Sequence, residues 1–179
     1  MKKLFLWLAA LLPCLLLTAC AARVDQTAAV RVFLPLAADA ADGAVSFVPP
    51  EGFKPLSASG ELYRSPDYPD DISCLAVTVD DRDPYFDRYT AALLEQAFSD
   101  ALGCTAGAQN VTVESLEYGT LSDMPCYQVR LSFVSGTTRF RQWVVCLNAD
   151  RLYTFTYTQT DETDWDALFA ASIDSISCE

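Results

Sequence analysis

Residues 152–158 read Leu-Tyr-Thr-Phe-Thr-Tyr-Thr. Tyr153, Phe155 and Tyr157 point one way and Thr154, Thr156 and Thr158 the other, a strict period of two in aromatic and β-branched residues. This predicts a strand with one apolar face against a core. Upstream, residues 140–147 put Trp143, Val145 and Leu147 on one face, and residues 125–134 put Tyr127, Val129, Leu131 and Phe133 on one face. Residues 110–118 alternate less regularly through Val111, Val113 and Leu116. The connections Ser135-Gly136-Thr137 and Asn148-Ala149-Asp150 are turn-forming residues. Four strands with short connections predict an antiparallel meander.

Helices flank the meander. Asp83 suits an N-cap and Pro84 a first helical position, which predicts a helix over 84–102 stopped by Gly103. Along it, Tyr85, Tyr89, Leu93, Ala97 and Ala101 form one row, and Phe86, Leu94, Phe98 and Leu102 the adjacent one. After the meander, Thr163 with Asp166 three residues on resembles a capping box. Trp165, Leu168, Phe169, Ser172, Ile173 and Ile176 then follow helical spacing. Before the central helix, residues 45–48, the turn Pro49-Pro50-Glu51-Gly52, and residues 53–56, 61–64 and 72–79 read as a hairpin followed by further strands. The order predicts an α+β domain over 44–179: an antiparallel β-sheet packed by a long central helix and a C-terminal helix.

The N-terminus reads as an address. Lys2 and Lys3 precede the apolar run 4–17, the layout of a signal peptide. The run ends Leu17-Thr18-Ala19-Cys20, which resembles the lipobox of bacterial lipoproteins, whose final cysteine takes a diacylglyceryl thioether. That resemblance implies a signal peptide over 1–19, lipidation at Cys20, and a lipid anchor to the membrane on its extracytoplasmic face. Two or more acyl chains give stable anchoring. An uncleaved anchor helix and a plain secretory signal are the alternatives. Residues 20–43 read as the lipidated cysteine and an alanine-rich tether, except that 30–36 is apolar enough to dock or to pair as an edge strand, where Pro35 is tolerated.

Phe47-Val48-Pro49-Pro50-Glu51-Gly52-Phe53, the strand at 72–79 leading into the long helix, and 152–157 leading into a helix that ends Ile173-Asp174-Ser175-Ile176 together resemble the PsbP-like fold, including the PsbP/DcrB-like bacterial lipoproteins. The resemblance spans about 44–178. It implies an α/β/α sandwich and a non-enzymatic accessory or binding role outside a membrane. Many relatives have Trp where this chain has Phe53. The resemblance transfers no catalytic residue.

Composition narrows the chemistry. The chain of 179 residues holds 24 Asp and Glu against 12 Lys and Arg, with formal charge −12. That balance argues against nucleic acid as a partner. There is no histidine, which excludes Ser-His, Cys-His and His-metal sites. Removal of 1–19 takes away Lys2 and Lys3 and moves the formal charge to −14.

Cys74, Cys104, Cys126, Cys146 and Cys178 remain beyond Cys20, an odd number in a compartment that permits disulfides. A three-residue turn at 135–137 would set Cys126 opposite Cys146, and Cys104 and Cys178, each following a helix, could meet if the helices pack together. The same residues read equally as small buried hydrophobes. Without a C-x-x-C, no zinc or redox site is expected.

Asp67, Asp70, Asp71, Asp80, Asp81 and Asp83 crowd both ends of one strand, but no calcium-loop pattern is present, and the reading is a solvated acidic rim. Arg130, Arg139 and Arg141 sit on neighbouring strands and could clamp an anion or simply solvate the sheet. The expectation is a binding or accessory protein acting on an unknown envelope protein or ligand, with no enzyme activity, no catalytic residue, no metal and no cofactor. The alternatives are a carboxylate-dependent hydrolase and a cation-dependent binding module.

Overall fold

The computed structural model describes residues 32–34 by their backbone, and residues 45–56 and 61–178 in full. Cys20 and the expected signal segment lie outside the described residues. In chain order the elements are β1 (Val32–Leu34), β2 (Val45–Phe47), β3 (Lys54–Pro55), β4 (Leu62–Arg64), β5 (Cys74–Asp81), a 3-10 turn (Phe86–Arg88), α1 (Ala91–Ala106), β6 (Gln109–Leu121), β7 (Met124–Ser135), β8 (Thr138–Asn148), β9 (Arg151–Thr160), α2 (Asp166–Asp174) and β10 (Ser177–Cys178). The large sheet has seven antiparallel strands in the order β3-β4-β5-β9-β8-β7-β6. A small sheet has the order β1-β2-β10.

The period-two faces sort the core into two layers. Tyr153, Phe155 and Tyr157 are fully buried with Phe47, Leu75, Phe169 and Ile173, which places α2 on that face. Val129, Leu131 and Phe133 of β7 pack with Leu94, Phe98 and Leu102 of α1 on the other face. Helices on opposite faces give the expected α/β/α sandwich.

The segment at 30–36 pairs as anticipated: β1 is an edge strand antiparallel to β2, with Phe33 opposite Ser46. The first hairpin does not form. Phe53 N–H donates to Pro50 C=O at 3.0 Å across a turn in which Gly52 has φ +82°, a conformation glycine adopts without strain. That turn sends β2 into the small sheet and β3 into the large one.

The central helix begins later and ends later than its sequence signals suggest. Asp83 caps neither the α-helix nor the 3-10 turn; it closes a separate turn ahead of them. Its carboxylate accepts from Tyr85 N–H (2.8 Å) and from the Tyr89 hydroxyl (2.6 Å), and Asn148 pairs with its backbone in both directions. The α-helix proper starts after Thr90, whose hydroxyl accepts from Leu93 N–H. Gly103 lies within α1, and the stop is Gly107 in the left-handed region at φ +60°. A Cβ at Gly107 would touch nothing within 4 Å. Gly107→Ala should therefore cost backbone strain alone, about 1 kcal/mol, read as a lower urea midpoint at unchanged m. Of the two rows on the helix, the one through Phe86, Leu94, Phe98 and Leu102 is buried, while Tyr85 and Leu93 face solvent.

Thr163 does not cap α2. Its hydroxyl donates to Thr160 C=O, and the Gln159 side chain takes over at the helix start. Gln159 accepts from Trp165 N–H (2.7 Å) and donates to Asp166 (2.6 Å).

Candidate functional site

The β7–β8 hairpin decides where the cysteines and arginines point. Ser135 pairs with Thr138, so the loop holds two residues, and every pair shifts by one from the three-residue expectation. Cys126 then lies opposite Leu147, and Tyr127 opposite Cys146. A slip of one residue reverses the face of every side chain. Cys126 accordingly joins the α2 layer and Cys146 the α1 layer, and the expected opposition of Cys126 and Cys146 does not form.

Cys104 ends the helix on one face, and Cys178 follows the helix on the other, so that pair does not meet either. These four thiols are free, Cys126 and Cys146 buried and Cys104 and Cys178 exposed; Cys74 is not among the free ones. Burial pushes the Cys146 thiol up to about 11. Alkylation of the native protein at about pH 8 should modify Cys104 and Cys178 and reach Cys126 and Cys146 only after denaturation, as peptide mapping would show.

The arginines do converge. Arg130, Arg139 and Arg141 share the α2 face of β7 and β8. Arg130 lies 3.7 Å over the Trp143 ring, and the Trp143 indole N–H donates to Gln128. The chain answers them with its own carboxylates. Asp166 approaches Arg130 (3.7 Å) and Arg141 (3.9 Å), and Asp161 approaches Arg139 (3.7 Å) and Arg141 (3.5 Å). The Arg141 guanidinium also donates to Thr163 C=O. An anion entering here would have to displace two carboxylates already paired, so the cluster works as a half-exposed ion network tying the start of α2 to the sheet.

The acidic rim divides the same way. Asp67, Asp70 and Asp71 precede β5 while Asp80 and Asp81 end it, and the length of an eight-residue strand separates them. Among the described residues, no three His, Cys, Asp or Glu side chains gather as metal ligands do. Asp71 is the buried member. Its carboxylate accepts from Ser73 N–H (2.9 Å), the Ser73 hydroxyl (2.6 Å) and the Trp165 indole N–H (2.8 Å). Burial pushes its pKa up, but hydrogen bonds from Ser73, Ser65 and Trp165 outweigh that and leave it below the ordinary value. A general acid needs the reverse.

A third group joins residues whose sequence pattern places them apart, Phe86 and Tyr89 on the helix rows and Tyr118 and Tyr127 on strands. Phe86, Tyr89 and Tyr118 surround Tyr127, with ring centroids 4.7, 5.9 and 5.8 Å away. Burial and then the Asp83 carboxylate raise the Tyr89 pKa, and the Tyr118 hydroxyl donates to Tyr89 C=O at 2.9 Å. Tyr85 and Tyr118 remain exposed, and residues 117–120 of β6 are exposed on both sides. The imperfect alternation at 110–118 was the signal of this outer strand.

With the order and pairing of strands established, the likeness to solved structures follows. The chain is similar to the solution structure of cyanobacterial PsbP (CyanoP) from Synechocystis sp. PCC 6803, at TM-score 0.60 and 18% identity, over 91% of this chain and 99% of that one. The fold is PsbP-like. The PsbP-like domain is also similar to the crystal structure of LpqN, a protein involved in cell envelope biogenesis of Mycobacterium tuberculosis. There the TM-score is 0.53 and the identity 8%, over 83% of this chain and 91% of that one. No family model and no curated protein sequence matches the chain. At such identities, the PsbP-like fold is carried by the order of elements and the two-faced sheet rather than by shared side chains.

Proposed function

We propose that the protein is a lipid-anchored, extracytoplasmic binding or accessory protein of the bacterial cell envelope. The observation that carries this reading is Leu17-Thr18-Ala19-Cys20, placed directly after a basic start and an apolar run. The PsbP-like fold and the likeness to LpqN, an envelope-biogenesis protein, support it. Among the described residues, no helix is long and apolar enough to cross a membrane; the lipid anchor on Cys20 is read from Leu17-Thr18-Ala19-Cys20 alone. The acidic body is repelled by anionic lipid headgroups and stands off the surface.

The test is mass spectrometry of the native product with a Cys20→Ala control. The expected result is an N-terminal fragment that begins at Cys20 and carries acyl mass, and loss of membrane association in the variant. A retained Met1 or an unmodified sulfur at position 20 overturns the anchor. Crosslinking in intact cells, parent against Cys20→Ala, then reports which envelope component the anchored body meets.

A further inference from the structure

We propose that the outer edge of β6, over 116–121, accepts an extended, Lys- or Arg-bearing segment of a partner protein as an eighth strand of the sheet. The proposal rests on the reading of this chain as a binding module and not on its lipid anchor.

Proteins blunt exposed strand edges with shortness, proline, lysine, bulges or covering groups. The opposite edge of this sheet does so: β3 has two residues, Lys54 and Pro55. The first half of β6 does so too. Its register breaks between Gln109 and Thr112 and again between Val113 and Ser115, and Glu95 of α1 accepts the Val113 N–H at 2.9 Å. From Ser115 to Leu121 the register against β7 is unbroken and contains neither proline nor lysine.

The direction of the free backbone groups follows from the turn. Ser122 and Asp123, both at positive φ, form a two-residue loop, so Leu121 and Met124 are the hydrogen-bonded closing pair. Alternation then turns Leu121, Gly119 and Glu117 toward β7, and the N–H and C=O groups of Thr120, Tyr118 and Leu116 outward. Among the described residues, those outward groups find no partner. They form a ladder ready for strand addition.

The two faces beside this ladder set the pattern of the occupant. On the α1 face, Tyr118 is held half-exposed by its bond to Tyr89 and offers an apolar wall. On the α2 face, Glu117 is exposed, and Gly119 leaves open space where a Cβ would meet nothing within 4 Å. An added strand would set an apolar side chain beside Tyr118 and a basic one beside Glu117, alternating along its length. Charge argues against a second copy. β6 carries Glu114 and Glu117 and no Lys or Arg, and like charges opposed across strands destabilise pairing. The acidic body also attracts a basic segment during encounter.

The experiment uses the full chain as natively expressed and a fluorescent seven-residue peptide alternating valine and lysine. Comparison peptides alternate valine and glutamate, or carry N-methyl groups on alternate amides. The valine–lysine peptide should bind saturably. N-methylation, and separately Thr120→Pro, should each weaken binding about tenfold or more. Proline is tolerated where a strand N–H faces solvent, so Thr120→Pro should keep the parent melting midpoint. Glu117→Arg, which leaves the backbone intact, should shift preference toward the valine–glutamate peptide.

Absence of saturable binding overturns the proposal. So does equal binding by the N-methylated peptide or by Glu117→Arg, and so does a self-association that Thr120→Pro abolishes. The anchor is read separately, at the sulfur of Cys20, so failure of one reading is distinguishable from failure of the other.

Discussion

Phe155→Ala should lower the melting midpoint by about 10 °C. Phe155 is fully buried at the centre of the sheet, opposite Val77 on β5 and Val145 on β8. Its ring meets that of Phe47 edge-on with centroids 5.2 Å apart, and so links the large sheet to the small one. Truncation removes the buried area and leaves a cavity that α2 cannot close without unseating Phe169 and Ile173. Phe-to-Ala changes in such cores cost about 3–5 kcal/mol. At about 2–4 °C per kcal/mol for a domain of this size, the midpoint falls by roughly 10 °C. Leu93→Ala is the matched control. Leu93 is 57% exposed on the outer row of α1, and its loss should stay within about 0.5 kcal/mol. Calorimetry of the two variants checks the assignment: equal losses would mean that the buried row of α1 and the core face of β9 are misassigned.

The contrast shows what the sequence could carry. Tyr153, Phe155 and Tyr157 declared their face by strict alternation, and the structure buries all three. Periodicity names the members of a face, but it does not say which faces meet. Tyr127-Val129-Leu131-Phe133 and Trp143-Val145-Leu147 each read correctly as one face, yet they lie on opposite sides of the sheet. The hairpin loop holds two residues rather than three, and nothing in Ser135-Gly136-Thr137 distinguishes the two registers. The cysteine pairing depended on that count and moved with it. Helix boundaries were obscured for a related reason. Asp83 and Gly103 are competent signals, but tertiary partners decided between them and Thr90 and Gly107, since Asn148 and Tyr89 hold Asp83 in its own turn. The arginines were legible as neighbours. Their neutralisation by Asp161 and Asp166 was not, because it depends on where α2 begins, and Gln159 at the end of β9 sets that through its side chain.

The second large effect belongs to Asp71, which ties the loop before β5 to the start of α2. Replacing it by alanine strands the buried Ser73 N–H and the partly buried Trp165 indole N–H without their acceptor. At about 1–3 kcal/mol for each unsatisfied group, Asp71→Ala should cost about 2–4 kcal/mol. Asp71→Asn separates charge from packing, because an amide can still accept from Ser73 but turns a donor toward Trp165 or leaves it unmet. The pH dependence gives the sharper test. The folded pKa of Asp71 lies below the ordinary value, so the folded state favours the ionised form. Its contribution is fully present above the unfolded pKa of about 3.9 and is lost as pH falls through the folded pKa. The stability gap between the parent and Asp71→Asn should therefore be constant from neutral pH to about pH 5 and should narrow below about pH 4. Urea unfolding at a series of pH values measures it. A gap that widens on acidification would mean that Asp71 is protonated in the native state, and that the hydrogen bonds from Ser73 and Trp165 do not hold it as a carboxylate.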